Sequence, residues 1–259
     1  MRGGPAWARR APLAALALLL LAATHLPLAA IPISRMETPW WRHRFEEKQA
    51  ELRQHPPQLI FLGDSITENF ELAGGHGWDD YVPVWRHWYG GRDAANLGFK
   101  GDATSHLLWR IDHGELDGIH PKAAVVLIGA NNFGRPHWDA AQTMTGIVTV
   151  IDAVHRRLPQ THILLLSVLP SDRSAWISEQ TRAVNRMLAA HDWAPSGTQF
   201  LDVTHVFERN GRLDRALFLD PHLTPPDPPL HPSAQGMALL AQAIEPALAP
   251  MLGEAPRRR

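Results

Sequence analysis

Cysteine is absent from the 259 residues of the chain. This absence excludes a disulfide framework, a thiolate zinc site and a cysteine nucleophile. A charge bias is missing too, because 25 Lys and Arg residues nearly balance 26 Asp and Glu residues. Without a global basic field, the composition argues against a nucleic-acid-binding protein. The remaining mixture, 45% hydrophobic and 20% charged residues, is typical of a globular protein.

The first 30 residues have the layout of an export signal. Three arginines lie within the first ten residues, and an almost entirely apolar run follows over residues 11–30. A signal peptide cleaved after Ala30 fits this layout. An uncleaved membrane anchor fits it as well, because the run is close to the length that spans a bilayer. Either interpretation places the rest of the chain outside the cytoplasm, in the periplasm, secreted or anchored.

Residues 36–252 are predicted to form one α/β domain, followed by a disordered tail over residues 253–259. Short apolar runs typical of buried strands alternate there with segments of helical periodicity. Such alternation implies right-handed crossovers and a mainly parallel sheet with helices on both faces. The predicted strands are 58–63, 94–99, 123–132, 162–170 and 198–203, and the predicted helices are 39–54, the second half of 78–90, 104–116, 138–158, 174–193 and 233–252.

Residues that follow the predicted strands are candidates for a functional site, because α/β sheets bind ligands beyond the carboxyl ends of their strands. Ser65, Gly101 and Asn131 follow the first three strands, and His231 precedes the last helix. Each has an ordinary structural explanation: a helix cap, a turn with positive φ, an Asn turn or a surface histidine.

Together these residues supply the parts of a serine-nucleophile site. A serine hydroxyl attacks an ester only when a base such as His231 takes its proton. The oxyanion that forms needs hydrogen-bond donors, here Ser65 N–H, Gly101 N–H and the Asn131 side-chain amide. The pattern GxSxG is missing around Ser65, which argues against the α/β-hydrolase type of nucleophile turn.

Four ordered segments resemble the sequence blocks of the SGNH, or GDSL, hydrolase family. They are GDSIT (63–67), NLGFKGD (96–102), GANN (129–132) and LHPSAQG (230–236). The stretch 96–132 is especially similar to the catalytic subunits of type I platelet-activating-factor acetylhydrolases. The resemblance implies a three-layer α/β/α fold with about five parallel strands in flavodoxin-like order. It also implies ester hydrolysis without a metal or another cofactor.

The acid of the family pattern is displaced in this chain. The family carries D-x-x-H, but the position three residues before His231 is Pro228. Asp227, four residues before the histidine, is the favoured triad acid, and Asp220 is the other candidate. A site without a functional acid is the third alternative.

The sequence therefore predicts an exported serine esterase that hydrolyses short acyl esters, such as acetyl esters, of a small molecule, a polysaccharide or a lipid. A lysophospholipase or thioesterase of the same fold is an alternative. A non-catalytic relative that binds acyl groups or carbohydrate is another. The N-terminal segment would provide membrane attachment if it is not cleaved.

Overall fold

Five parallel strands form the central sheet. The structure, a computed structural model, describes residues 26–257. Its strands are β1 (Leu59–Gly63), β2 (Ala73–Gly75), β3 (Trp78–Asp80), β4 (Ala94–Gly98), β5 (Ala123–Leu127), β6 (His162–Leu166), β7 (Thr198–Leu201), β8 (Glu208–Arg209) and β9 (Arg212–Leu213). The central sheet has the order β4-β1-β5-β6-β7, while β2–β3 and β8–β9 are separate antiparallel hairpins. When only the five strands of the central sheet are numbered along the chain, their order in the sheet is 2-1-3-4-5, which is the flavodoxin-like order. The predicted sheet is therefore confirmed.

Helices cover both faces of this sheet. They are α1 (Pro39–Gln54), α2 (Ser65–Glu68), α3 (Val82–Trp88), α4 (Thr104–Asp112), α5 (Ala140–Arg157), α6 (Ala175–Ala190) and α7 (Ala234–Leu252). α5 packs against both α4 and α6, whereas α3 packs on α7. Every residue of β1 and β5 is buried, which requires cover on both faces of the sheet. The predicted three-layer α/β/α architecture is confirmed.

Local capping signals set where the long helices begin. The side chains of Asp139, Ser174 and Ser233 each accept a hydrogen bond from the backbone N–H three residues later. Such caps satisfy N–H groups that the first helical turn leaves without partners. Because these signals are local, the predicted helices occur within a few residues of the observed bounds. Within residues 26–257, the structure contains no helix long and apolar enough to cross a bilayer.

A segment in front of α1, residues 28–35, packs against the domain, and we call it the N-terminal strap. It begins with a short 3-10 helix that contacts α4 and α5. Ala29 and Ala30 are buried there. The Thr104 hydroxyl on α4 donates a hydrogen bond of 2.7 Å to the carbonyl oxygen of Ala29. The strap therefore belongs to the folded domain.

The predicted domain boundary at residue 36 consequently lies too late. The contacts that hold the strap come from α4 and α5, far along the chain, so no local sequence pattern marks it. Cleavage after Ala30 would remove the Ala29 carbonyl that Thr104 binds. The predicted signal peptide or anchor otherwise lies outside the described residues, which begin at Leu26.

Residues 253–257 do not form the predicted disordered tail. The Glu254 carboxylate accepts a hydrogen bond of 2.9 Å from Arg92 Nε. The backbone N–H of Arg257 donates to Glu245 Oε1 at 2.7 Å. Arg92 and Glu245 form a buried ion pair, and the tail supplies further partners for both of its charges. The last two residues of the chain lie outside the described part.

Deletion of residues 26–35 should destabilise the domain. A chain that begins at Met36 lacks the acceptor for the Thr104 hydroxyl, the buried alanines and the ion pair of Arg35 with Asp102. Since each lost buried hydrogen bond costs about 1–3 kcal/mol, the free energy of unfolding should fall by at least about 3 kcal/mol relative to a chain that begins at Leu26. Urea denaturation measures this difference.

Leu28→Ser provides the control, because Leu28 belongs to the strap but its side chain is exposed. This substitution should leave the midpoint nearly unchanged. Equal midpoints for the two chain lengths would show that the strap does not stabilise the fold.

Candidate active site

A tight turn between β1 and α2 presents Ser65. β1 ends at Gly63, and Asp64 caps α2 by accepting a hydrogen bond of 2.9 Å from Ile66 N. The turn also packs closely on β4, where a Cβ atom at Gly98 would lie 2.2 Å from Glu68 N. Real Cβ atoms do not approach backbone so closely, so this position requires glycine. The close packing fixes Ser65 at the carboxyl edge of the sheet.

Ser65, His231 and Asp220 form a continuous chain of hydrogen bonds. Ser65 Oγ lies 3.0 Å from His231 Nε2. On the other side of the ring, His231 Nδ1 lies 2.7 Å from Asp220 Oδ1. The second carboxylate oxygen of Asp220 accepts from the backbone N–H groups of Leu230 at 2.7 Å and His231 at 2.6 Å. The carboxylate therefore holds both the ring and the backbone of the histidine.

Asp220, and not the favoured Asp227, is the acid that contacts His231. Asp227 is exposed, and its backbone N–H donates to Asp220 O at 3.0 Å. Leu219 N donates to His231 O at 2.8 Å, which brings the start of this loop alongside its end. Asp227 was favoured because it is near in sequence, but the loop folds back and places the more distant acid beside the histidine. Asp220, in FLDPHL, was the second candidate in the sequence.

Asp220 is ionised at neutral pH. Burial opposes its ionisation, but hydrogen bonds from His231 and the backbone N–H of Leu230 outweigh that effect and hold the pKa of Asp220 below its usual value. An ionised carboxylate can only accept hydrogen bonds, so Nδ1 of the ring carries a proton. His231 Nε2 is then free to accept the proton of Ser65 Oγ.

Gly101 and Asn131, the other predicted oxyanion donors, lie on neighbouring loops at the same sheet edge. Gly101 has a φ of +76°, a conformation that favours glycine. The Asn131 amide donates a hydrogen bond of 3.1 Å to the carbonyl oxygen of Asp102. Asn132, in contrast, is fully buried and bonds Thr104 through both its oxygen and its nitrogen. Asn132 therefore shapes the loop that carries Asn131.

The Asp102 side chain supports the loop that bears Gly101. Asp102 is fully buried, and its carboxylate accepts hydrogen bonds from Arg35 Nη1 at 2.8 Å, Trp41 Nε1 at 2.8 Å and Arg110 Nε at 2.9 Å. Arg35 Nη1 also donates to the carbonyl oxygen of Lys100 at 2.8 Å. Sequence reasoning missed these three partners, because they belong to the strap, α1 and α4.

Trp78 of the β2–β3 hairpin packs against the histidine. Its ring centre lies 5.4 Å from that of His231, in an edge-to-face arrangement. Asp79 Oδ2, on the same hairpin, accepts a hydrogen bond of 2.6 Å from Ala234 N at the start of α7. The hairpin is thereby tied to the helix that follows His231, and it forms one wall of the site.

A nucleophilic hydroxyl, an imidazole base and an ionised carboxylate at the carboxyl edge of a parallel sheet define a serine hydrolase site. The profile of the GDSL-like lipase/acylhydrolase family matches residues 61–239, which include Ser65, Gly101, Asn131 and His231. The chain belongs to this family, and the resemblance noted in its sequence blocks is confirmed.

Known proteins agree with this assignment. The chain is 32% identical over 166 residues to the alpha1 subunit of platelet-activating factor acetylhydrolase IB from Bos taurus, an alignment that covers 64% of this chain and 65% of that relative. A GDSL-like lipase from Bacteroides thetaiotaomicron has a similar fold, with a TM-score of 0.59, 16% identity and coverage of 79% and 95% of the two chains. An acetylxylan esterase from Geobacillus stearothermophilus has a TM-score of 0.55, 17% identity and coverage of 78% and 97%.

Asp64 should make the stability of the protein depend on pH. Burial raises the pKa of Asp64 to about 6, against the opposing effects of the Ile66 N–H and the positive charge of His231. A carboxyl whose pKa is higher in the folded than in the unfolded state loses stability as pH rises between those two values. Asp64→Asn removes this titration. The free energy of unfolding of the variant, relative to that of wild type, should therefore increase by about 3 kcal/mol as the pH rises from about 4 to about 8.

Urea denaturation at several pH values measures the change. Asp80→Asn is the matched control, because Asp80 accepts the same kind of hydrogen bond, from Val82 N, but is exposed. The difference in free energy of unfolding between Asp80→Asn and wild type should change much less over the same pH range. A constant difference between Asp64→Asn and wild type at all pH values would contradict the raised pKa.

Proposed function

We propose that this esterase hydrolyses short acyl esters through a Ser65–His231–Asp220 triad. The single observation that carries the proposal is the continuous hydrogen-bond chain through these three side chains, with distances of 3.0 and 2.7 Å. Asp220 supplies the carboxylate that the sequence did not identify, because Pro228 occupies the position of the acid in the family pattern. A non-catalytic binding relative is therefore the weaker candidate.

Acylation of Ser65 follows from this geometry. Ser65 Oγ attacks the ester carbonyl carbon while its proton passes to His231 Nε2. Asp220 stabilises the imidazolium that forms. The oxyanion accepts hydrogen bonds from Ser65 N–H, Gly101 N–H and the Asn131 amide. Removal of one such donor typically lowers kcat by about 10²–10³. The intermediate then collapses, and the alcohol leaves with the proton held by His231.

Deacylation uses the same groups in reverse order. Water gives a proton to His231 Nε2 and attacks the acyl carbon. When the second tetrahedral intermediate breaks down, Ser65 Oγ takes the proton back and the carboxylic acid is released. Every step moves one proton between Ser65, His231 and the substrate or water, so no metal or other cofactor is required.

One observation favours a short acyl group such as acetyl. Proteins similar to this chain include, by name, an acetylhydrolase in sequence and an acetylxylan esterase in fold.

Substitutions in the triad test this mechanism. Ser65→Ala should abolish hydrolysis of 4-nitrophenyl acetate, because it removes the nucleophile. Asp220→Asn should lower kcat by about 10²–10⁴, since an amide can present its N–H to the ring and stabilise the wrong tautomer. Asp227→Asn is the matched control and should change kcat by less than about twofold. Initial rates at saturating substrate, on variants with wild-type circular dichroism spectra, give these values.

The proposed triad would fail in two ways. Unchanged turnover by Ser65→Ala would exclude the serine mechanism. A large decrease of kcat in Asp227→Asn, with no decrease in Asp220→Asn, would show that Asp227 is the acid of the triad.

We further propose that residues 1–30 direct the protein out of the cytoplasm. The arginines ahead of the apolar run support export. Where that run meets the domain, Leu26 and Leu28 are exposed, both at 57%, which suits a chain that enters the fold from an apolar segment. The strap argues against processing after Ala30, so cleavage before Leu26 or retention as an anchor fits better.

A carboxyl-terminal fusion to alkaline phosphatase, which is active only outside the cytoplasm, tests export. The fusion should be active with residues 1–25 present. The matched fusion that lacks residues 2–25 should be inactive. Equal activity of the two fusions, or none in either, would contradict export by this segment.

A further inference from the structure

Arg173, in the loop between β6 and α6, lies between two loops of the active site. Its Nη2 donates a hydrogen bond of 2.8 Å to the carbonyl oxygen of Ala130, the residue before Asn131. Its Nε donates to Ser171 Oγ at 3.1 Å. The Ser171 hydroxyl in turn donates to the carbonyl oxygen of Pro229 at 2.7 Å, two residues before the catalytic histidine. The guanidinium is therefore fixed at the border of the site.

Within the described residues, part of this guanidinium has no hydrogen-bond partner. Among residues 26–257, no hydrogen bond from Arg173 Nη1 and no carboxylate within 4.0 Å of Arg173 is found. The neighbouring residue Gly134 has no side chain, and a Cβ there would lie 3.8 Å from Nη1. Glycine therefore leaves the space next to these donors open.

The electrostatic surroundings make such a cation unusual. Arg173 is partly buried, and this burial lowers its pKa despite the longer-range attraction of Asp64 and Asp220. Asp220 is already bound to His231, and Asp64 to Ile66 N. A partly desolvated charge without a close counterion is available to an anion, which would form a charge-assisted hydrogen bond there.

We infer that Arg173 binds a negatively charged group, a carboxylate or a phosphate, carried by the ester substrate next to the scissile bond. The planar guanidinium suits both groups, because two of its N–H donors can bind two oxygens of one anion. The inference rests on the proposed esterase function and adds a substrate class to it: short acyl esters whose alcohol part bears an anion.

A purely structural role is the competing explanation. The bonds to Ala130 and Ser171 brace the two loops, and they account for Nε and Nη2. They do not account for Nη1. A brace would support turnover of all esters equally, whereas an anion subsite favours charged substrates over neutral ones of the same shape. The ratio of kcat/KM values for such a pair therefore separates the two roles.

Two matched pairs of esters provide the test. Acetoxyacetate is compared with acetoxyacetamide, and acetoxyethyl phosphate with ethylene glycol monoacetate, by the rate of acetate release. Wild type should prefer the anion in at least one pair, and the pair with the larger ratio identifies carboxylate or phosphate. Arg173→Gln should reduce that ratio by about 10- to 100-fold, the value of one charge-assisted interaction. Arg173→Lys, which keeps the charge, should retain part of it.

Arg135→Gln is the control, because Arg135 is an exposed arginine on the adjacent loop. It should leave the ratio at the wild-type value. If Arg173→Gln does not fold, the salt dependence of wild type decides, since raising ionic strength should reduce the preference for the anion. A wild type without preference, a preference insensitive to salt, or an unchanged ratio in folded Arg173→Gln would each overturn the inference.

Failure of the esterase proposal would be distinguishable. In that case none of the four esters, nor 4-nitrophenyl acetate, would be hydrolysed. Calorimetric titration of the intact protein with acetoxyacetate and with acetoxyacetamide would then still test Arg173. Tighter binding of the anion, lost in Arg173→Gln, supports the subsite, and equal binding overturns it.

Discussion

The active-site edge of this protein depends on one buried carboxylate, that of Asp102. A charge without water is strongly unfavourable unless hydrogen bonds and opposite charges replace its hydration. Arg35, Trp41 and Arg110 do so, each from a different element of the fold. Satisfying this single charge therefore joins the N-terminal strap, α1 and α4 at the loop that carries Gly101. Through its backbone carbonyl, Asp102 also holds the Asn131 amide.

Two carboxyl groups near Ser65 show how environment decides chemical role. Asp64 is buried and receives a single backbone hydrogen bond, so its pKa rises to about 6. Asp220 is also buried, but His231 and two backbone N–H groups donate to it, and its pKa falls. The same side chain thus caps a helix in one place, and in the other it contacts the His231 ring as a carboxylate with a lowered pKa. Asp220 is therefore the carboxylate placed to stabilise an imidazolium through a direct hydrogen bond.

The sequence predicted most of the secondary structure because its signals were local. Apolar runs of strand length and capping residues such as Asp139 and Ser233 lie within a few residues of the elements they define. The short β2–β3 hairpin was missed, since its strands have three residues each and lack periodicity. The domain boundary and the tail were wrong for another reason: their partners, such as Asp102 and Arg92, lie far away in the chain.

By itself, the sequence predicted the serine, the histidine and the two loops, those of Gly101 and Asn131, that lie at one edge of the sheet. Parallel strands end at a common edge, so residues that follow different strands meet there whatever their separation in the chain. Only the tertiary structure decided between Asp227 and Asp220, because the loop before His231 has no periodicity to set its path. Its turn at Asp220 and the bond from Leu219 N to His231 O bring the buried acid to the ring and leave the nearer one in solvent.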